Sequence, residues 1–340
     1  MSLIDNLISQ NLIHPPSFLK NNVFYECMMG SEAYGVSSGE SDIDIYGFCI
    51  PPKDIIFPHL KGNIIGFGKQ PEKFNNFTNH NIKTKDNKKQ YDISIYNIVR
   101  YFQLCMENTP NIIDSLFVPR RCILYTTQVG ELVRENRHIF LHKGGWHKFK
   151  GYAFSQLHKM ENKNIKLYVD ICNKLNIDPE TFDESHLESL KGYDQKILDE
   201  LIMIYKKITK SGIMSKRIKL IKKHGYDTKF GYNVVRLLNE IEQIMIEGDL
   251  DLERNREQLK SIRRGEWSLN RIKKYFEDKE KDLEQLYTNS KLRYKPDEQL
   301  IKKLLLNCLE MHFGSLNTVF PIEKNINQLI SEIQEVIDKY

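Results

Sequence analysis

The sequence predicts an α+β fold: an α/β domain with a mixed sheet over residues 1–125, then a mostly α-helical domain over residues 126–340. Three observations carry this. Residues 23–52 hold two short apolar runs, VFYECMM and IDIYGFCI, ended by Gly-Ser and by Pro51-Pro52, which is how strands and their stops read. Residues 91–106, YDISIYNIVRYFQLCM, alternate at first and then take up a helical period. Beyond Thr126, apolar positions recur every three or four residues between Gly, Asn and Pro breaks, the pattern of consecutive amphipathic helices.

Taken in order, the first twenty residues read as a short amphipathic helix stopped by Pro15-Pro16, because proline lacks the amide a helix interior needs. A buried strand follows at 23–31 and turns at Gly30-Ser31, with SEAYG opening a helix. A second strand runs through SDIDIYGFC. Residues 61–90 are rich in Asn, Lys and Gly and read as a poorly packed hairpin or loop. The strand from Tyr91 passes into a helix near Asn97. In the helical part, breaks fall at 142–145, 176–179, Gly212, Gly225, Gly248, Gly265, Pro296 and Gly314. The helix before Gly248 starts at Thr228 as its cap, with Phe230, Val234, Leu237, Ile241 and Ile244 as its apolar stripe.

Composition narrows the class. With 40% hydrophobic and 28% charged residues in 340, the chain is globular rather than disordered. No apolar run reaches the ~18–20 residues of a membrane helix, and no signal peptide is recognisable, so a cytoplasmic protein is expected. Cys27, Cys49, Cys105, Cys122, Cys172 and Cys308 form no CxxC pair and are expected to be reduced and buried. The Asn, Lys and Ile content suggests an A/T-rich, viral genome. Net charge is +5, and it is unevenly placed: residues 205–236 hold ten Lys/Arg against the single acid Asp227. Such a stretch is a solvated helix face or a polyanion surface.

The chemistry concentrates in GSEAYGVSSGESDIDIYGF, residues 30–48. Side chains at i and i+2 of a strand share a face, so Asp42 and Asp44 present two carboxylates together while Ile43 and Ile45 pack on the other side. Paired hard oxygens suit Mg²⁺ or Mn²⁺. Asp92, flanked by Ile93 and Ile95, is the candidate for a third carboxylate, with Asp86 and Asp54 as competitors. Three converging carboxylates are what two metal ions need for an in-line displacement. Gly30 and Ser31 supply a turn whose amides and hydroxyl can meet phosphate oxygens. Together these features point to nucleotidyl transfer from a triphosphate, the third carboxylate helping to take the acceptor's proton.

These residues carry a resemblance. Gly30-Ser31, then Asp42-Ile43-Asp44, then an isolated aspartate in apolar sequence is similar to the DNA polymerase β-type nucleotidyltransferase superfamily. Ala33-Tyr34-Gly35, Ser41, Gly47 and Pro51-Pro52, with NTPNIIDSLFVP, KGYAFSQL, KFGYNVVRLLNE and IRRGEWS further on, resemble its RNA-repair-associated, RNA-ligase-associated branch. The resemblance runs from about residue 22 to about residue 310. It implies a nucleotidyltransferase catalytic domain at 1–125, triphosphate binding at Gly30 and Ser31, and metal binding with catalysis at Asp42, Asp44 and Asp92. It also implies transfer of NMP from an NTP, ATP being the expected one, to an RNA end such as that of a tRNA. A protein side chain or a small molecule is the alternative acceptor, and a non-catalytic nucleic-acid-binding module is the reading from another class.

Lys229, Tyr232 and Arg236 follow one another at i, i+3 and i+7, on a face apart from most of the apolar stripe. Either they bind nucleotide, by point charge, stacking and bidentate clamp, or they form a solvated face. RNA contact is expected along 205–236, whose Lys216, Arg217, Lys219, Lys222 and Lys223, like Arg263-Arg264, otherwise read as solvent-exposed. No pattern chooses the base, and none sets the oligomeric state.

Overall fold

In the computed structural model, described for residues 1–37, 42–68, 72–86, 89–161, 163–183, 190, 192–209, 214–315, 333–334 and 336–337, the first helix, α1, spans Leu3–Ser9. Ser2 caps it by accepting the Asp5 amide, the ordinary use of serine at that position. Five strands follow: β1 Val23–Met28, β2 Ile43–Cys49, β3 Asn76–Lys83, β4 Gln90–Asn97 and β5 Ile123–Thr126. They form one mixed sheet in the order β3-β4-β2-β1-β5. Only β2 and β4 run parallel; the other three pairings are antiparallel.

Alternation decides the two faces of this sheet. Ile45, Cys49, Tyr91, Ile93 and Ile95 pack against Ile4 and Leu7 of α1. On the other face Tyr25, Cys27 and Phe48 join a larger core drawn from the helices. These include α3 Ile98–Met106, α4 Pro110–Phe117, α5 Gln128–Glu135, α6 Gly145–Glu161, α10 Thr228–Glu247, α11 Arg256–Arg263, α12 Leu269–Asn289 and α13 Glu298–Phe313. The short α2 is Lys53–Ile56. The core over the sheet therefore takes residues from both sides of position 125. A separate apolar cluster from Ile165 to Ile221 binds together α7 Lys163–Lys174, α8 Gln195–Thr209 and α9 Met214–His224.

Much of the local reading holds. β4 passes into α3 at Asn97, whose side chain caps α3 by accepting the Val99 amide. All six cysteines are free and buried, and Trp146 and Trp267 are buried anchors. Of the two readings offered for residues 61–90, the hairpin holds at 76–83, an edge strand paired antiparallel with β4. Two expectations are corrected. The cap of α10 is Asp227, not Thr228: its carboxylate accepts the Lys229 amide while Thr228 is already helical. Helix α10 has no solvated stripe, since Tyr232, Arg236, Asn239, Glu240 and Gln243 are buried beside its apolar positions. It packs against α6, α11 and α12, and its Arg236 reaches Tyr34 and Asp114. The break expected at Gly212 and the Ser41 of the aspartate motif lie outside the described residues. Among the described residues, no helix is long and apolar enough to cross a membrane.

Candidate active site

The carboxylates sit on the helical side of the sheet, where β2 and β4 run side by side. The register pairs Asp44 directly with Asp92. Neighbouring strands lie about 4.8 Å apart and directly opposed residues share a face, so both side chains leave the sheet together. Asp42 precedes β2 by one residue and is exposed. Asp86 lies in the turn before β4, where it accepts from the Thr84 hydroxyl, and Asp54 lies in α2. Asp92 is thus the candidate that the sheet brings opposite Asp44.

Charge accumulates here. Burial raises the proton affinity of Asp44, and Asp92 and Asp42 raise it further, while Lys229 and His80 oppose the rise. Lys229, in the first turn of α10, is therefore the cation that α10 holds near the pair. Asp92 is partly engaged: its Oδ1 accepts the Asn81 amide at 2.7 Å and lies 3.7 Å from His80 Nδ1. A β-bulge between Asn79 and Ile82, with Asn81 at φ 58°, aims that amide. Among the described residues Asp92 Oδ2 meets no donor.

Gly30 completes the floor. Its φ of 64° suits glycine, and a Cβ there would fall 2.3 Å from Asp44 Oδ2. Residues 31–35 form a turn, not the helix expected from SEAYG. Gly30 and Gly35 both take positive φ, and the Val36 amide reaches back to Ser31 O at 2.9 Å, a closure that ends any helical ladder. Within the turn the amides of Ser31, Glu32 and Ala33 and the Ser31 hydroxyl donate to no acceptor among the described residues. Such a nest of free amides is an anion site without needing a helix. Two further residues brace it. Arg121 bonds Glu253 through both Nη atoms, at 2.8 and 2.9 Å, and donates to Glu32 O at 3.1 Å. Glu253 Oε1 lies where a Gly35 Cβ would be, 2.7 Å away.

The three α10 residues separate in space. Lys229 is exposed. Tyr232 is 5% and Arg236 6% exposed. Arg236 Nη1 donates to Asp114 Oδ2 at 2.7 Å, to Tyr34 OH at 2.8 Å and to Glu240 Oε1 at 2.9 Å. Its guanidinium also lies 4.4 Å from the Tyr34 ring centroid. Burial pushes the proton affinities of Asp114 and Glu240 up and the Arg236 charge pulls them back. The guanidinium is committed to internal acids, so it acts as a tie between α10, α4 and the 30–36 turn. Sequence reasoning assigned no role of their own to Tyr34, Asp114, Arg121 and Glu253, since the only signal for them is long-range pairing.

The basic band is partly neutralised. Lys222 pairs with Asp178 at 2.8 Å, Lys219 with Glu180 at 3.5 Å and Arg217 with Asp227 at 3.8 Å.

Residues 6–307 match the family model described as the RNA repair pathway DNA polymerase beta family. The chain is also similar, at 27% identity over 176 residues, to an uncharacterized 38.9 kDa protein in the nrdC-mobD intergenic region of Enterobacteria phage T4. That match covers 50% of this chain and 49% of the phage protein, so the chain spans about half the length of that relative. No solved structure matches.

Proposed function

The chain belongs to the RNA repair pathway DNA polymerase beta family, and we propose that it is a metal-dependent nucleotidyltransferase that moves NMP from an NTP to a hydroxyl at an RNA end, with release of pyrophosphate. The observation that carries this reading is the pairing of Asp44 with Asp92 on parallel strands beside the Gly30 turn.

The donor set fits a hard divalent cation. Asp42, Asp44 and Asp92 all offer hard oxygen donors, and the burial that chiefly raises Asp44, with the added repulsion of Asp92 and Asp42, is what a cation relieves. Among the described residues no three acid, His or Cys side chains are already closed around a point, and Asp92 Oδ2 is the oxygen still open. Bound Mg²⁺ or Mn²⁺ would supply Lewis acidity to the phosphate oxygens.

The chain's own groups do the rest. Gly30 lets the phosphates approach the backbone, the free amides and the Ser31 hydroxyl donate to them, and Lys229 meets them as a point charge. As the acceptor oxygen bonds the α-phosphorus, its proton passes to Asp92. The bond from that phosphorus to the bridging oxygen breaks, and pyrophosphate leaves with the electron pair. An RNA acceptor is favoured by the family's description and by the exposed Lys207, Lys223 and Lys229 of the basic stretch, whose contact with a phosphate backbone should weaken with salt.

The test is incubation with α-labelled NTPs, ATP first, and Mg²⁺ or Mn²⁺, with separate RNA, protein and small-molecule pools. Label on RNA that disappears with Asp44→Asn supports the proposal. Label only on protein or a small molecule moves the acceptor, and no label with any NTP or pool overturns the enzyme.

A further inference from the structure

Four arginines adjoin the 30–36 turn, and they differ in one respect. Arg121 is paired with Glu253, Arg236 with Asp114 and Glu240, and Arg256, whose Cδ lies 3.6 Å from where a Gly35 Cβ would be, with Glu257. Arg263, at the C-terminal end of α11, faces no carboxylate among the described residues. It is half-buried, and its Nη1 donates to Val36 O at 3.3 Å. Its guanidinium also lies over the Tyr232 ring, 5.6 Å from the centroid. Val36 in turn donates its amide to Ser31 O, so one residue separates this guanidinium from the serine of the turn.

The placement is complementary to that of Asp44. Asp44 abuts Gly30 on one side of Ser31; Arg263 abuts Val36 on the other. Tyr232, under the Arg263 guanidinium, feels both charges: burial raises its phenol, Arg236 and Arg263 oppose the rise, and Glu240 and then Asp44 add to it. The Tyr232 hydroxyl donates to no acceptor among the described residues. A half-buried guanidinium, oriented by a carbonyl and an aromatic ring yet lacking an anion, has most of its five donors unspent.

We propose that Arg263 binds the distal phosphates of the triphosphate tail, on the far side of Ser31 from the carboxylates, so that the helical part of the chain reads the length of the polyphosphate. This rests on the nucleotidyl-transfer reading of the same site. A guanidinium matches phosphate oxygens bidentately, with charge-assisted bonds. A tail that is one phosphate shorter, seated at the same reacting end, leaves Arg263 unmet. The enzyme then discriminates NTP from NDP through Arg263.

Calorimetric titration of the full chain with inorganic tripolyphosphate and with pyrophosphate, in chelator, tests this without turnover. Tripolyphosphate should bind wild type more tightly than pyrophosphate does. Arg263→Gln should weaken tripolyphosphate by about tenfold and pyrophosphate hardly at all; Arg263→Lys should fall between. Arg264→Gln, a change in an exposed arginine paired with Glu266, should behave as wild type. Unfolding curves verify that each variant folds. If Arg263→Gln binds tripolyphosphate as wild type does, or wild type does not bind it, the proposal is overturned. In the labelling assay Arg263→Gln should raise the KM for NTP about tenfold with kcat retained at saturation. Label transfer by wild type together with an unaltered Arg263→Gln KM would sink the role of Arg263 and leave the enzyme standing.

Discussion

Asp44 and Asp92 occupy directly opposed positions on adjacent parallel strands, on the sheet face that Phe48 shares with the helical core. Two like charges at that spacing cost the free protein about 0.2–1 kcal/mol, a cost accepted where a cation or proton can answer it. Asp92→Asn should therefore lower nucleotidyl transfer by at least about 10²-fold while leaving thermal stability equal to or slightly above wild type. The Asn81 contact survives, because an Asn oxygen can still accept. A loss of melting temperature matching the loss of rate would mark Asp92 as structural instead.

Gly30 and Asp44 should be coupled. Gly30→Ala adds a Cβ 2.3 Å from Asp44 Oδ2 at a φ of 64°, so it costs both the left-handed strain, about 1–2 kcal/mol, and a collision. In the Asp44→Ala background only the strain remains. A double-mutant cycle from urea unfolding should show an interaction energy of at least about 0.5 kcal/mol; additivity would mean that the carboxylate simply moves aside.

Arg236→Gln should be among the most destabilising single changes in the chain. It leaves Asp114, 0% exposed, and Glu240, 3% exposed, without their cation. Breaking a buried pair in this way costs about 3–5 kcal/mol. Equilibrium unfolding in urea measures it, and a loss below about 1 kcal/mol would show that the two acids are satisfied without the guanidinium.

Glu26 gives a pH signature remote from the site. It is buried under α1, accepting the Leu3 and Ile4 amides at 2.7 and 3.1 Å, and burial lifts its pKa from the ordinary 4.5 to about 7. Because the folded form holds this proton more tightly than the unfolded form, its contribution is full below pH 4.5 and is lost as pH rises through about 7. The loss is on the order of 3 kcal/mol. Stability of wild type relative to Glu26→Gln should fall across that window and level off above it. A flat difference between pH 4.5 and 7.5 would refute the assignment.

The residue pattern alone determined a good part of this protein. The strands at 23–28 and 43–49, the turn after the first of them and the passage from strand to helix at Asn97 are local consequences of side-chain period, turn chemistry and capping. Each is decided within a few residues, so a sequence displays it. Tertiary structure decided the partners. Nothing in the period of 228–247 tells whether Arg236 meets solvent or Asp114, because a helical repeat names a face and not what lies against it. Likewise Asp92 could be ranked against Asp86 and Asp54 only by the β2–β4 register, a pairing across 48 residues of chain. Along the chain Arg236 reads as a nucleotide clamp or a solvated residue and Arg263 as exposed; the packing neutralised Arg236, as it did Arg121, and left Arg263 facing the turn, since a charge is paired by whatever the fold brings near it.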